Sequence, residues 1–190
     1  MFVTILAGGK SKRFGSDKLL YPIGDKPLID MVYERVSKLG FDVYLIVSPE
    51  RRQVFEKRGY KVIVDSHMIG PIGGILTALE YDDALIVGGD MPMLNLDLLK
   101  KIIDVSKLGK YTVVPRHSGD LLEPLHAVYS KNLYVKLKEY IYNGGRGIQF
   151  FLKNHRELFI PFDVIDEGYL KSFFNVNMVR DLISVDVKDI

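Results

Sequence analysis

Short apolar runs alternate along this chain with stretches in which apolar residues recur every three or four positions. Phe2–Leu6 is apolar apart from Thr4 and reads as a strand. Residues 26–39 carry Leu28, Val32, Val36 and Leu39 on one face at helical spacing. Val43–Val47, "VYLIV", is the continuous run expected of a strand buried on both faces. The pattern then predicts a short polar helix over 50–58, a strand at 61–64, a helix over 72–81, a strand at 84–87 and a helix over 96–105. That alternation predicts an α/β fold, a parallel sheet covered by helices.

Beyond Gly109 the pattern changes. Residues 111–115 and 123–130 read as two strands with no helix between them. Helices are predicted over 130–142 and 147–155, a last strand within 157–164, and a last helix over 177–183. With no internal repeat, low-complexity tract or linker, the 190 residues are expected to form a single domain, 1–190.

Composition narrows the function classes. A hydrophobic content of 47% with 26% charged residues suits a soluble globular protein. A net charge of +2 gives no electrostatic case for nucleic-acid binding. The absence of cysteine excludes disulfides, thiolate metal sites and cysteine nucleophiles. No apolar run approaches the roughly 20 residues of a membrane-spanning helix, and the first is too short for a signal sequence. The expectation is a cytoplasmic protein with no membrane contact.

In an open α/β sheet, ligands bind at the carboxyl ends of the strands. Ala7-Gly8-Gly9, Ser48, Asp65-Ser66 and Gly88-Gly89-Asp90 follow the first four predicted strands and are expected at one edge. The first of them opens "LAGGKSKRFGSDK", Leu6 to Lys18. Gly8, Gly9 and Gly15 do not fit the G-x-G-x-x-G dinucleotide spacing. Gly9-Lys10-Ser11 imitates the end of a Walker loop, but the first glycine of that loop would fall at Thr4, inside the strand. What remains is a turn whose backbone amides and cations hold a triphosphate, against a plain solvated turn. Gly8 and Gly9 let backbone approach a ligand closely, and Lys10, Lys12, Arg13 and Lys18 supply positive charge. Lys10 and Lys12 read as solvated lysines. Arg13 and Lys18 are the candidate phosphate contacts.

"LAGGKSKRFGSDKLL" resembles the nucleotidyltransferase signature LAGG-x-S-x-R-(M/F)-G-x-D-K, and it looks most like that of the molybdenum cofactor guanylyltransferases. "GDKPLID" (24–30), "GPIGGILTAL" (70–79), "GGDMPML" (88–94), "EPLHAVY" (123–129) and "FFNVN" (173–177) resemble further elements of that family in order. Gly89 replaces a cysteine of the family's C-D-M-P element. The resemblance implies a three-layer, Rossmann-like nucleotidyltransferase fold of the nucleotide-diphospho-sugar transferase type, with a mostly parallel central sheet. Residues 1–108 or so would bind nucleotide, and 109–190 the acceptor.

The implied reaction is Mg²⁺-dependent transfer of GMP from GTP to the phosphate of molybdopterin, with release of pyrophosphate. Transient contact with molybdoenzymes or cofactor-biosynthesis proteins would follow. Alternatives are a cytidylyltransferase for the same cofactor, a guanylyltransferase for a corrinoid phosphate, another small nucleotidyltransferase, and a non-catalytic nucleotide or cofactor carrier. Arg13, Lys18 and Asp90 form the expected catalytic set. Asp90 suits Mg²⁺, which takes one or two carboxylates plus phosphate oxygens and water; a helix N-cap is its plainer role.

The resemblance further implies that Leu6, Ala7 and Gly8 line the nucleotide pocket, beside Gly9. It implies that Asp65 contacts the nucleotide, either at the guanine edge or at a ribose hydroxyl. Gly70 is expected in a ligand-adjacent loop, or as punctuation before a helix. Relatives often carry asparagine at Ser48, which leaves base selectivity open. Glu123, Arg146, Asn175 and Asn177 are the candidate acceptor contacts. Arg146 also reads as part of an interhelical turn, and the asparagines as turn formers. The four histidines show no ligand spacing, and Phe150, Phe151, Phe173 and Phe174 read as core.

Overall fold

A computed structural model describes residues 1–9 and 17–184. The chain enters as β1 (Phe2–Leu6). A single 3-10 turn (Lys18–Leu20) then leads into a small hairpin, β2 (Pro22–Ile23) with β3 (Lys26–Pro27). Helix α1 (Leu28–Ser37), β4 (Val43–Val47), α2 (Arg52–Glu56), β5 (Val62–Val64), α3 (Pro71–Tyr81), β6 (Ala84–Gly88) and α4 (Leu96–Lys107) complete the regular front half. The back half holds β7 (Val113–His117), β8 (Leu121–Leu122), β9 (His126–Tyr129), α5 (Tyr134–Tyr142), α6 (Ile148–Asn154) and β10 (Ile160–Asp163).

Seven strands lie in the order β10-β7-β9-β6-β1-β4-β5, with β8 paired to β7. β1 is parallel to both β4 and β6, β4 to β5, and β10 to β7. β9 runs antiparallel to β6 and β7, and β8 antiparallel to β7. The sheet is therefore mostly parallel. Its order reverses beside β1: the chain steps outward to β4 and β5, then crosses back to β6 on the other side. Such a reversal opens a crevice at the carboxyl ends of the strands.

Alternation along the strands feeds two cores. Val3, Ile5, Leu45, Leu85 and Val87 point into one layer with Leu28 and Val32 of α1, Phe55 of α2, and Leu99 and Ile102 of α4. Phe2, Ile46, Ile86 and Ala127 point into the other with Ile72, Ile75 and Leu79 of α3, Leu137 of α5, and Phe151 and Leu152 of α6. Three layers result, because each β6 residue faces the layer opposite to its neighbour's.

The elements differ from the sequence pattern mostly at their ends. The helix expected from residue 26 begins at Leu28, because Lys26 and Pro27 pair back onto Ile23 and Pro22 around Gly24, whose φ is +65°. Helix 130–142 opens as a 3-10 turn, Lys131–Leu133, capped by the Ser130 hydroxyl, which accepts from Asn132 N. The strand expected over 123–130 is confined to β9, since Glu123–Leu125 form a turn that His126 N closes onto the Glu123 carbonyl. The polar helix expected at 50–58 is a 3-10 turn followed by α2, with Phe55 fully buried. The last predicted helix is a 3-10 helix, Val179–Ser184, and Glu167–Phe173 form another that no periodicity signalled. Phe150 is a correction: it is 64% exposed, because Phe151 takes the inward position on α6.

His126 is wholly buried on β9. Its Nε2 meets the Ser172 hydroxyl at 3.2 Å, and its Nδ1 has no partner among the described residues. Phe173 packs on it edge-on. Burial pushes its pKa down from 6.5 to about 3, so the folded chain keeps it neutral. Below the unfolded value the unfolded chain takes up a proton that the folded chain refuses. Stability attributable to His126 is thus full above about pH 6.5 and falls by about 1.4 kcal/mol per pH unit towards pH 3. Urea unfolding between pH 7 and pH 5 is expected to show this slope, and His126→Gln to flatten it.

Candidate active site

A cavity of about 620 Å³ opens at the carboxyl ends of β1, β4, β5 and β6. Leu6, Gly8 and Gly9 line it from β1, Ser48 and Glu50 from β4, Asp65, Met68 and Gly70 from the loop after β5, and Gly88 and Asp90 from β6. Lys18 and Leu19 close one side and Leu125, just before β9, another.

Lys18 and Asp90 meet at its floor. The Lys18 ammonium donates to Asp90 Oδ2 at 2.6 Å, with side chains only 15% and 24% exposed. Lys18 stands in the 3-10 turn after β1, whose first free amide, Leu19 N, is capped by Asp17 Oδ1 at 3.2 Å. Asp90 stands two residues past β6. Its own carbonyl accepts Val176 N at 2.9 Å, which fastens the tail of the chain beside it. Gly88 leaves room for the Asp90 carboxylate as placed: a Cβ would lie 2.8 Å from Asp90 Oδ1. The N-cap of α4 is Asn95, whose side chain accepts from Asp97 N and Leu98 N. Asp90 is therefore free of the capping role the sequence also allowed.

The opposite wall carries Asp65 and Ser48. Asp65 Oδ1 accepts three bonds, from His67 N at 2.9 Å, Met68 N at 3.1 Å and Thr77 Oγ1 at 3.2 Å. These hold the loop in which Met68 has φ +50° and Gly70 +81°, the backbone region that favours glycine at the N-cap of α3. These three bonds all fall on Oδ1. Ser48 lines the wall, but its hydroxyl is buried with no partner among the described residues, an arrangement that costs free energy.

Of the residues singled out in the sequence, Leu6, Gly8, Gly9, Lys18, Asp65, Gly70 and Asp90 come together on this cavity. Ala7 lies fully buried behind it. Arg13, with Lys10 and Lys12, lies outside the described residues. Glu123, Arg146, Asn175 and Asn177 do not line the cavity. Glu123 Oε1 is held by His117 Nε2 at 2.9 Å, and that imidazole stacks on Phe173. The Arg146 guanidinium donates to the carbonyls of Ile141 and Gly145 in its own turn, the plainer of its two readings. Asn175 Nδ2 donates to the Phe173 carbonyl. Asn177 N and Met178 N both donate to Asp181, whose carboxyl these bonds hold below the usual range. Glu50, Met68 and Leu125 line the cavity without having been named. Glu50 at least carried a signal, since it closely follows a strand.

Among the described residues no three acidic or histidine side chains gather into a cluster that could cage a metal alone. Of the three carboxylates that line the cavity, Glu50, Asp65 and Asp90, Asp90 is the one beside Lys18. A carboxylate there fits a cation completing its shell with phosphate oxygens and water, which is the habit of Mg²⁺.

Comparison with known proteins places the chain in a family and a fold. The MobA-like NTP transferase domain matches residues 3–158. A Thermococcus gammatolerans protein named a probable molybdenum cofactor guanylyltransferase is 42% identical over 185 residues, covering 96% of this chain and 97% of that protein. A Pyrococcus furiosus protein of the same name is 40% identical over 182 residues, covering 94% and 92%. The crystal structure of molybdopterin-guanine dinucleotide biosynthesis protein A from Archaeoglobus fulgidus superposes with a TM-score of 0.83 at 28% identity, over 97% of this chain and 96% of that one. The three-layer sheet is thus a Rossmann-like nucleotidyltransferase fold, and this chain belongs to the MobA-like NTP transferase family.

Proposed function

We propose that this protein transfers GMP from GTP to the phosphate of molybdopterin and releases pyrophosphate. The observation that carries the reading is the Lys18–Asp90 pair on the floor of a cavity at the sheet reversal. The names of the similar proteins support the choice of base and acceptor.

In this reaction an oxygen of the acceptor phosphate forms a bond to the α-phosphorus, and the bond from that phosphorus to the bridging oxygen of pyrophosphate breaks. The nucleophile is already anionic, so no strong base is needed. The obstacle is repulsion between two anions, and fixed positive charge lowers it. Lys18 is suited to neutralise phosphate charge as a point cation. The backbone of Gly8 and Gly9 is open to close approach by phosphate oxygens. Asp90 would hold Mg²⁺, which when bound supplies further charge neutralisation at the phosphates.

On the far wall, Asp65 has one oxygen to offer, because Oδ1 already accepts three bonds. A two-pronged carboxylate grip on the guanine N1–N2 edge needs both oxygens. Asp65 is therefore read as accepting a single donor, which suits one ribose hydroxyl or one guanine N–H. Ser48 lines the same wall, but its hydroxyl is buried, so it is given no contact with the base or ribose. The acceptor is assigned to the side of the cavity formed by the back half, where Leu125 adjoins Glu123 and the tail adjoins Asp90.

Incubation with molybdopterin, Mg²⁺ and each of GTP, CTP and ATP, read by mass spectrometry, tests the reading. Molybdopterin guanine dinucleotide and pyrophosphate are expected from GTP. Product from CTP alone, or product only with a corrinoid phosphate, refutes it, and nucleotide binding without turnover on any acceptor favours a carrier. Asp90→Ala is expected to lower turnover by about a hundredfold or more, with the folded secondary structure retained by circular dichroism. Gly88→Ala, whose Cβ would displace the Asp90 carboxylate, is expected to lower it by about tenfold or more without abolishing nucleotide binding. Wild-type turnover in Asp90→Ala removes Asp90 from the site.

A further inference from the structure

Arg51 lies just past β4, in a polar segment whose charges read as a solvated face, yet its side chain is only 12% exposed. Its Nη1 donates to the carbonyl of Ala7 and, at 3.3 Å, to that of Gly9. Its Nη2 donates to both oxygens of Asp17, to Oδ1 at 2.6 Å. The guanidinium carbon stands 4.8 Å from the centre of the Phe55 ring, which is itself fully buried. One planar group thus joins the end of β1, the glycine turn, and the residue immediately before Lys18.

We infer that Arg51 is a positioning residue for phosphate binding: it fixes the Gly8–Gly9 backbone relative to the Lys18 ammonium without touching substrate. The reasoning runs through Asp17. Asp17 Oδ1 caps the turn that carries Lys18, accepting Leu19 N, and its carbonyl accepts Leu20 N. That turn sets where Lys18 Nζ ends, 2.6 Å from Asp90 Oδ2. Arg51 is absent from the cavity wall, and its contacts are with protein groups. It cannot donate to a ligand without releasing them.

The group must be a guanidinium. Two backbone carbonyls and a carboxylate lie on different sides of it, and a fork of coplanar N–H donors reaches all three. A lysine ammonium carries the same charge but reaches one or two of them. The flat face on Phe55 suits a guanidinium equally. Backbone carbonyls at a phosphate site repel the ligand, and Arg51 covers two of them. Its removal exposes Ala7 and Gly9 oxygens as well as loosening the turn.

The inference rests on the nucleotidyl-transfer reading, and a double-mutant cycle separates the two. Titration calorimetry with GTP and Mg²⁺ is run on the wild type, Arg51→Ala, Arg51→Lys, Lys18→Ala and the Arg51/Lys18 double alanine variant, beside pyrophosphate release with acceptor. Arg51→Ala is expected to weaken GTP binding and lower kcat/KM by about tenfold or more. In the Lys18→Ala background the same change is expected to cost less than about twofold, because the group it positions is gone. Arg51→Lys should fall between wild type and alanine, and low-millimolar guanidinium should restore part of the kcat/KM of Arg51→Ala without raising its thermal midpoint.

Equal losses in both backgrounds would overturn the inference, since a purely structural arginine damages either protein alike. If Arg51→Ala fails to fold, Arg51→Lys carries the cycle with the same two outcomes. A wild type that binds GTP but forms no product strikes the transfer reading alone, and the binding arm still decides the role of Arg51. A wild type that binds no nucleotide overturns both.

Discussion

Asp90 stands just past β6 and Lys18 in the 3-10 turn before β2, and their ion pair ties that turn to the exit of β6 beside the reversal of the sheet order. Much of the surrounding architecture is what two such groups need in order to meet. Parallel pairing of β1 with β6, with Leu6 opposite Gly88, brings both chain exits to the same edge. The 3-10 turn after β1 aims one side chain across, and glycine at 88 leaves room for the other. The two cores hold β1 and β6 from both faces, so the exits are set by buried packing rather than by the loops. A half-buried ion pair at an open cavity is also a poor place for charge to rest. It suits a site where incoming anions and a cation would share the pair's charges between them.

Most of the fold was legible because its front half repeats one simple period change, from continuous apolar strand to three-four helix. β4 and β6 are continuous apolar runs, β1 is one apart from Thr4, and α4 shows its apolar face in plain sequence, although its cap is Asn95 and not Asp90. The back half was less legible for physical reasons. β8 has two residues, too few for alternation to register, and the turn before β9, closed by His126 N onto the Glu123 carbonyl and braced by Tyr129 Oη on the Pro124 carbonyl, is invisible in composition. Phe150 and Phe151 are adjacent on one helix, so only one of them could face the core.

The site was legible where function hangs on strand ends. Gly8, Asp65 and Asp90 each follow a predicted strand, and the sheet gathers them. Side-chain direction was not legible. Arg146 turns back onto its own loop, and Asn175 bonds the chain just before it. Arg51 shows the opposite failure. Its partners lie 34 and 44 positions away, so a run of charged residues conceals a buried guanidinium. Long-range partners of this kind leave no period in a sequence; only the sheet order brings β4 beside β1 and makes the contact possible.

The central claim is that the Lys18–Asp90 floor receives the phosphates of a nucleoside triphosphate. Its most direct measurement is the affinity of Lys18→Met for GTP with Mg²⁺ against that of the wild type, beside their affinities for guanosine. The account predicts that GTP binding weakens by about tenfold or more while guanosine binding is unchanged. Equal weakening of both ligands, or undiminished GTP binding, would contradict it.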